Sequence, residues 1–180
     1  MKLWAALSNA IAGWMMIVRG ETDWRQRFSL TTPGLATALI VFVFAAFLAV
    51  AVASMSIGMP SLGGVLTAMF VLALPVTSLV VTLLGTRLML KSAEPVYDML
   101  VPGIYAATAF LIIEGLLAMI GGPVVLLSWL GLAYLLFALA RAATAWTIGV
   151  SAGFAVLTVV LLVAMRVALY MLSTQAGSPL

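Results

Sequence analysis

Glu114 and Arg166 are the two charged residues that stand well inside long apolar stretches of the chain. A charged side chain within a bilayer costs about 2.5 to 3.5 kcal/mol on insertion scales, so it needs a partner or a function. Each residue stands six positions before the predicted end of its segment, which is about 9 Å of helix. We expect a buried ion pair that fixes helix packing. The alternatives are a proton or substrate site at Glu114 and an unpaired Arg166 whose head reaches the membrane surface.

Two further polar side chains are expected near this pair. Tyr170 follows Arg166 by four positions and shares its helix face, and Ser128 reaches a similar depth in the preceding segment. The predicted cluster therefore contains Glu114, Arg166, Ser128 and Tyr170. No catalysis is expected from it, because one glutamate cannot act as both general acid and general base. The predicted spans contain neither Asp nor Lys, which excludes paired-aspartate proteases and Schiff-base sites.

Composition places these residues in a membrane protein. Of 180 residues, 66% are hydrophobic and only 7% are charged, against about 25% charged in soluble domains. The mean hydropathy is +1.30. The chain has no cysteine and no histidine, which excludes disulfides, Cys/His zinc sites, histidine-ligated haem and hydrolases with a histidine base. We therefore expect no enzyme, no metal and no cofactor.

Hydropathy predicts an all-α integral membrane protein with five transmembrane helices, because about 20 apolar residues cross a bilayer core. Pro75 lies within the second span, where membrane helices tolerate proline, and it would provide a hinge. The fifty residues from Pro123 to Leu172, of which Arg141 and Arg166 alone are charged, form a stretch too long for one crossing, and we divide it near residues 141–148. The predicted spans are 34–57, 64–85, 99–120, 123–141 and 148–172, before a short polar tail at 173–180.

Residues 1–33 are predicted to form an amphipathic interfacial helix and a charged linker. One face of the helix is apolar, which is typical of a helix in the membrane plane, and a short uncleaved anchor or a signal peptide are the alternatives. That apolar face contains Leu3, Trp4, Leu7, Ile11, Trp14, Met15 and Val18. Four tryptophans are predicted to mark the membrane interfaces, where amphipathic rings collect: Trp4, Trp14, Trp24 and Trp146.

Basic residues predict the orientation, because they collect in short cytoplasmic loops. Seven lie on the side of the N-terminus and none in the opposite turns: Lys2, Arg19, Arg25, Arg27, Arg87, Lys91 and Arg141. The N-terminus is therefore expected in the cytoplasm and the C-terminus outside, in a bacterial inner membrane. The net charge of +3 suits anionic lipid headgroups, and no nucleic-acid partner is expected. Glu94 and Asp98, near Lys91, are expected to form local salt bridges in a solvated loop.

These features predict a non-enzymatic interaction, assembly or accessory subunit, with the lipid bilayer and other membrane proteins or a second copy as partners. The alternative is a small oligomeric proton- or ion-coupled transporter or channel that uses Glu114. Small residues four apart, such as Gly149 and Gly153, permit close helix approach. We interpret them first as packing within the chain and second as self-association.

The predicted orientation can be tested by cysteine labelling, because the chain has no cysteine of its own. A membrane-impermeant maleimide should label Ser61→Cys, in the first outer turn, on intact cells. It should label Ser92→Cys, in the basic inner connection, only after permeabilisation. The reverse pattern would contradict the predicted orientation.

Overall fold

The computed structural model describes residues 2–58 and 61–175, with the side chains of residues 2, 3, 56, 57 and 175 left aside. All regular structure in these ranges is helical. Short 3-10 turns at Asp23–Arg27 and Gly122–Val125 accompany seven α-helices. The helices are α1 (Lys2–Arg19), α2 (Thr32–Ile57), α3 (Leu62–Leu72), α4 (Leu74–Leu90), α5 (Tyr97–Ile120), α6 (Leu126–Ala143) and α7 (Ile148–Gln175).

Five helical stretches are long and apolar enough to cross a membrane, which indicates an integral membrane protein. They are Thr32–Met55, Leu62–Leu90, Tyr97–Ile120, Gly122–Ala143 and Ile148–Thr174. The five predicted spans thus correspond to these stretches, and the last two divide where expected. The predicted tail is wrong in part, because α7 continues as a helix to Gln175; residues 176–180 lie outside the described residues.

The second span is divided in two. Helix α3 ends at Leu72, Ala73 joins the pieces, and α4 begins with Pro75 in its first turn. Proline has no backbone N–H to donate, so a helix readily starts there but does not readily continue through it. The Ser78 hydroxyl donates to the carbonyl of Pro75 at 3.0 Å. The expected hinge at Pro75 therefore coincides with a break in the helix, and movement there remains a prediction.

Helix α5 forms the centre of the bundle. In its most apolar stretch 44% of the residues are buried inside the protein, against 22% in each of the first two spans. It packs against α2, α4 and α6, while α7 closes the ring by packing against α6 and α4. Gly103 permits a close approach to α4, since a Cβ atom there would lie 2.6 Å from a methyl carbon of Leu79. Helix α5 therefore packs against three of the other four spans.

One end of the bundle, here called the linker end, carries the α1–α2 linker and the α4–α5 and α6–α7 connections. Arg25 of the linker donates Nε to Asp98 Oδ2 of α5 at 2.7 Å and Nη2 to the carbonyl of Ala143, the last residue of α6, at 3.1 Å. Its guanidinium also lies 4.7 Å from the ring centre of the buried Trp24. The linker is thus packed into the protein.

Hydrogen bonds also hold the other connections at the linker end. Glu94 Oε1 accepts the backbone N–H of Ala145 at 3.2 Å, and Arg87 donates to the carbonyl of Glu94. Arg141 donates to the carbonyl of Trp146 at 2.7 Å. The expected local salt bridges of Glu94 and Asp98 are wrong. These carboxylates contact segments distant in sequence, because antiparallel helices bring their connecting loops to one end.

The four tryptophans that were predicted as interface anchors differ widely in burial. Trp24 and Trp146 are buried, and Trp146 packs edge-on against Phe154 with ring centres 5.7 Å apart. Trp14 is half-buried, whereas Trp4 is 78% exposed. Trp24 and Trp146 therefore fill the protein core at the linker end, where the helix ends leave space that large rings occupy. The in-plane position of α1 relative to a membrane remains a prediction.

We predict that Arg25→Ala destabilises the protein by about 1 to 3 kcal/mol, because it leaves the buried Asp98 carboxylate without its charged donor. Arg27→Ala, at an exposed position of the same turn, is the matched control and should change little. Thermal unfolding in mild detergent measures both. Equal melting temperatures for the two variants would contradict a stabilising role for Arg25.

Candidate functional site

The site is a bidentate ion pair between two helices that run in the same direction. Arg166 Nη1 of α7 lies 2.6 Å from Glu114 Oε1 of α5, and Nη2 lies 2.8 Å from Oε2. The two side chains are only 24% and 14% exposed. This parallel geometry matches the planar guanidinium to the planar carboxylate and gives a stronger contact than a single hydrogen bond.

The helices explain why these two side chains meet. Both α5 and α7 begin at the linker end, so similar distances along them correspond to similar depths. Because α6 lies between the two, their long side chains extend across its surface. The structure brings Glu114 and Arg166 together as their positions in the sequence predict.

Two aromatic rings complete the surroundings of Arg166. Its guanidinium carbon lies 4.8 Å from the ring centre of Trp129 on α6 and 5.7 Å from that of Phe110 on α5. The two rings pack edge-on with centres 5.5 Å apart. Cations are attracted to aromatic faces, most strongly where water is excluded. Phe110 stands four residues before Glu114 and could have been found from that spacing; Trp129, on another helix, carries no such signal.

The predicted contributions of Ser128 and Tyr170 are wrong. Ser128 is buried, but its hydroxyl donates at 2.6 Å to the carbonyl of Val125, one turn back in its own chain segment. Tyr170 is 62% exposed, and its hydroxyl bonds to neither charged residue. A serine in a helix readily satisfies itself on a nearby carbonyl. Tyr170 lies on a face of α7 that points away from the bundle, although Leu169 still packs against the core and Ser173 is buried.

The arrangement favours a fixed pair over a binding site for a cation. Both oxygens of Glu114 are engaged by Arg166, so a bound cation would have to displace the guanidinium. One donor remains: Arg166 Nε is buried and has no hydrogen-bond partner among the residues that the structure describes. The pair is held by two charged hydrogen bonds and two ring contacts, which restrict its movement.

No group of three or more acidic, histidine or cysteine side chains in residues 2–58 and 61–175 is placed to hold a metal ion. No protein-family model, curated protein or solved structure matches the chain.

We predict that Glu114→Gln and Arg166→Gln each destabilise the fold by about 1 to 3 kcal/mol, because each leaves a half-buried charge unpaired. The double variant should lose less stability than the two single variants lose together, and the difference, the coupling energy, should be about 0.5 to 3 kcal/mol. Detergent-based unfolding measures all three. Leu116→Ala, at an exposed apolar position of α5, is the control. Single variants no worse than this control, or strictly additive effects, would contradict a stabilising pair.

Proposed function

We propose that this protein is a non-enzymatic polytopic membrane protein that acts as an interaction, assembly or accessory subunit within the membrane. One observation carries the proposal. Gly149 and Gly153, one turn apart near the start of α7, have open space beside them: a Cβ atom at either would meet no atom within 4 Å.

Glycine inside a helix is about 1 kcal/mol less favourable than alanine, so a pair of glycines needs a compensating contact. In membranes that contact is the close approach of a second helix. Helix α7 packs within the bundle through other residues, among them Ser151, Phe154 and Thr158. Packing within the chain, the interpretation first given to the glycine pair, is therefore wrong. The proposal assigns this face to a helix of another membrane protein or of a second copy.

The outer helices of the bundle also support an assembly role. Helix α3 buries none of its residues and contacts its sequence neighbours α2 and α4. Three of its large apolar side chains, Leu62, Leu66 and Phe70, are more than half exposed, although Met69, Val71 and Leu72 pack against the core. A partner within the membrane can therefore approach this half-span without disturbing the core around α5.

A second candidate is the small oligomeric proton- or ion-coupled transporter or channel that uses Glu114. The break at Ala73 beside Pro75 favours it, since interrupted membrane helices are common at transport sites. The bidentate engagement of Glu114 by Arg166 opposes it. In this candidate, cation movement requires the pair to open, and Glu114→Gln abolishes flux in proteoliposomes.

We also propose a bacterial inner membrane, with the linker end on the cytoplasmic side. The basic residues support this orientation, since Arg19, Arg25 and Arg27 of the linker region share that end with Arg87 and Arg141. Anionic lipid headgroups attract such a cluster.

Association of α7 can be tested by changing its glycine face. The double variant Gly149→Leu with Gly153→Leu should weaken association with the copurified partner or second copy about tenfold, which corresponds to about 1.4 kcal/mol. The reason is that leucine side chains hold the helices apart. Native mass spectrometry after mild-detergent purification gives the stoichiometry, and crosslinking in membranes gives the affinity.

Gly115→Leu on α5 is the control: that glycine also faces open space, but Leu111 and Met119 stand one turn away, so it forms no small-residue pair. Unchanged association in the double variant would contradict the proposed face. Flux that Glu114→Gln abolishes, together with an unassociated wild-type protein, would favour the transporter instead.

A further inference from the structure

An apolar groove of about 560 Å³ lies between α1 and α5. Its volume falls within the range of small-molecule sites, about 300 to 1,000 Å³. The side chains of α1 form one wall, and α5 forms the other together with Leu135 of α6. Ala109, Ile112 and Ile113 of α5 line it within a segment apolar enough to cross a membrane. The groove therefore lies alongside the membrane-spanning part of the protein.

The groove arises from the way α1 contacts the bundle. Ala10, Gly13 and Ile17 are buried, and a Cβ atom at position 13 would lie 2.4 Å from the ring of Phe28. Trp14 is held by a hydrogen bond from Nε1 to the carbonyl of Pro102 at 3.2 Å. The predicted apolar face of α1 points away from this contact and lies beside α5. Leu7, Ile11, Trp14, Met15 and Val18 thus line the groove.

Thr108, Tyr105 and Arg19 add polar groups to the lining of the groove, but the Thr108 hydroxyl already donates to the carbonyl of Ile104 at 2.9 Å. Tyr105 is only 8% exposed, and its ring packs near Phe28 of the linker with centres 6.1 Å apart. Its hydroxyl makes no hydrogen bond to any residue in the described part of the chain. Unlike Thr82 Oγ1 and Ser151 Oγ, the Tyr105 oxygen is not one of the enclosed polar atoms, so an acceptor in the groove can reach it. Arg19, the last residue of α1, adds a largely exposed positive charge with a single loose contact to Glu21 at 3.9 Å.

We propose that this groove binds one acyl chain of an anionic phospholipid. The apolar walls hold the chain, the Tyr105 hydroxyl donates to an oxygen of the ester or phosphate region, and Arg19 contacts the phosphate. Charge selects the lipid, since Arg19, the arginine that lines the groove, attracts an anionic headgroup more than a zwitterionic one. This site is separate from the glycine face of α7 and does not depend on the proposed association.

Trp14 provides a reporter, because its indole lines the groove. A variant that retains Trp14 alone, with the other tryptophans replaced by phenylalanine, is reconstituted in phosphatidylcholine vesicles. Phosphatidylglycerol with brominated acyl chains is then titrated in and compared with brominated phosphatidylcholine. We expect saturable quenching of Trp14 that reaches half-maximum at a several-fold lower fraction of phosphatidylglycerol. A variant with only Trp4, which does not line the groove, should show the non-saturating quenching of bulk lipid.

Substitutions separate the contributions of charge and shape. Arg19→Gln should remove the preference for phosphatidylglycerol, whereas Arg27→Gln, outside the groove, should retain it. Ala109→Phe should fill the groove and lower saturable quenching by both lipids. Ala118→Phe, on the exposed part of α5, is its size-matched control.

Native mass spectrometry of the wild-type protein gives a second measurement that needs no tryptophan replacement. After incubation with equal amounts of the two lipids, about one phosphatidylglycerol per chain should be retained, and Ala109→Phe should lose it. Equal retention of both lipids would overturn the proposal. Trp14 quenching that falls as the protein-to-lipid ratio rises would also overturn it, because a second copy would then be the occupant.

Discussion

A lipid bilayer offers no water to polar groups, so a polar group inside the bundle is destabilising unless the protein supplies its partner. The hydroxyls of Thr108 and Thr158 donate to carbonyls one turn back, at 2.9 and 2.8 Å. Glu114 and Arg166 satisfy one another. Since neither charge is stable in hydrocarbon alone, the pair requires α5 and α7 to be present in one register. The same requirement limits the chemistry available to the pair, because a carboxylate that holds two helices together is not free to exchange its partner.

Hydropathy and depth predict much of this structure. The spans follow from apolar runs and breakers, and the Glu114–Arg166 contact follows from two charges placed near the same ends of parallel spans. The burial of Trp24 and the contacts of Arg25 were beyond sequence reasoning, because a charged linker has the composition of an exposed one. The errors at Ser128 and Tyr170 have another cause: depth says how far along a helix a residue lies, but not which way its side chain turns within the assembled bundle.

Helix α1 shows how one amphipathic pattern can support two arrangements. Its apolar face was predicted to enter lipid, yet Ala10, Gly13 and Ile17 make the contact with the bundle. Small residues allow that approach, and the large apolar side chains are left beside α5. The apolar face of α1, which the sequence predicted to face lipid, thus forms one wall of a groove. The open glycines of α7 differ, since they have no facing helix in the described chain.

The contacts of Arg25 impose an order on assembly. The carbonyl of Ala143 that it binds lies 118 residues later in the chain, and chains are synthesised from the N-terminus. The linker therefore emerges long before its acceptor exists, and four spans must be made before the contact can close. Until then Arg25 lacks one of its two acceptors. The N-terminal segment thus reaches its native packing late, although it is the first part of the protein to be made.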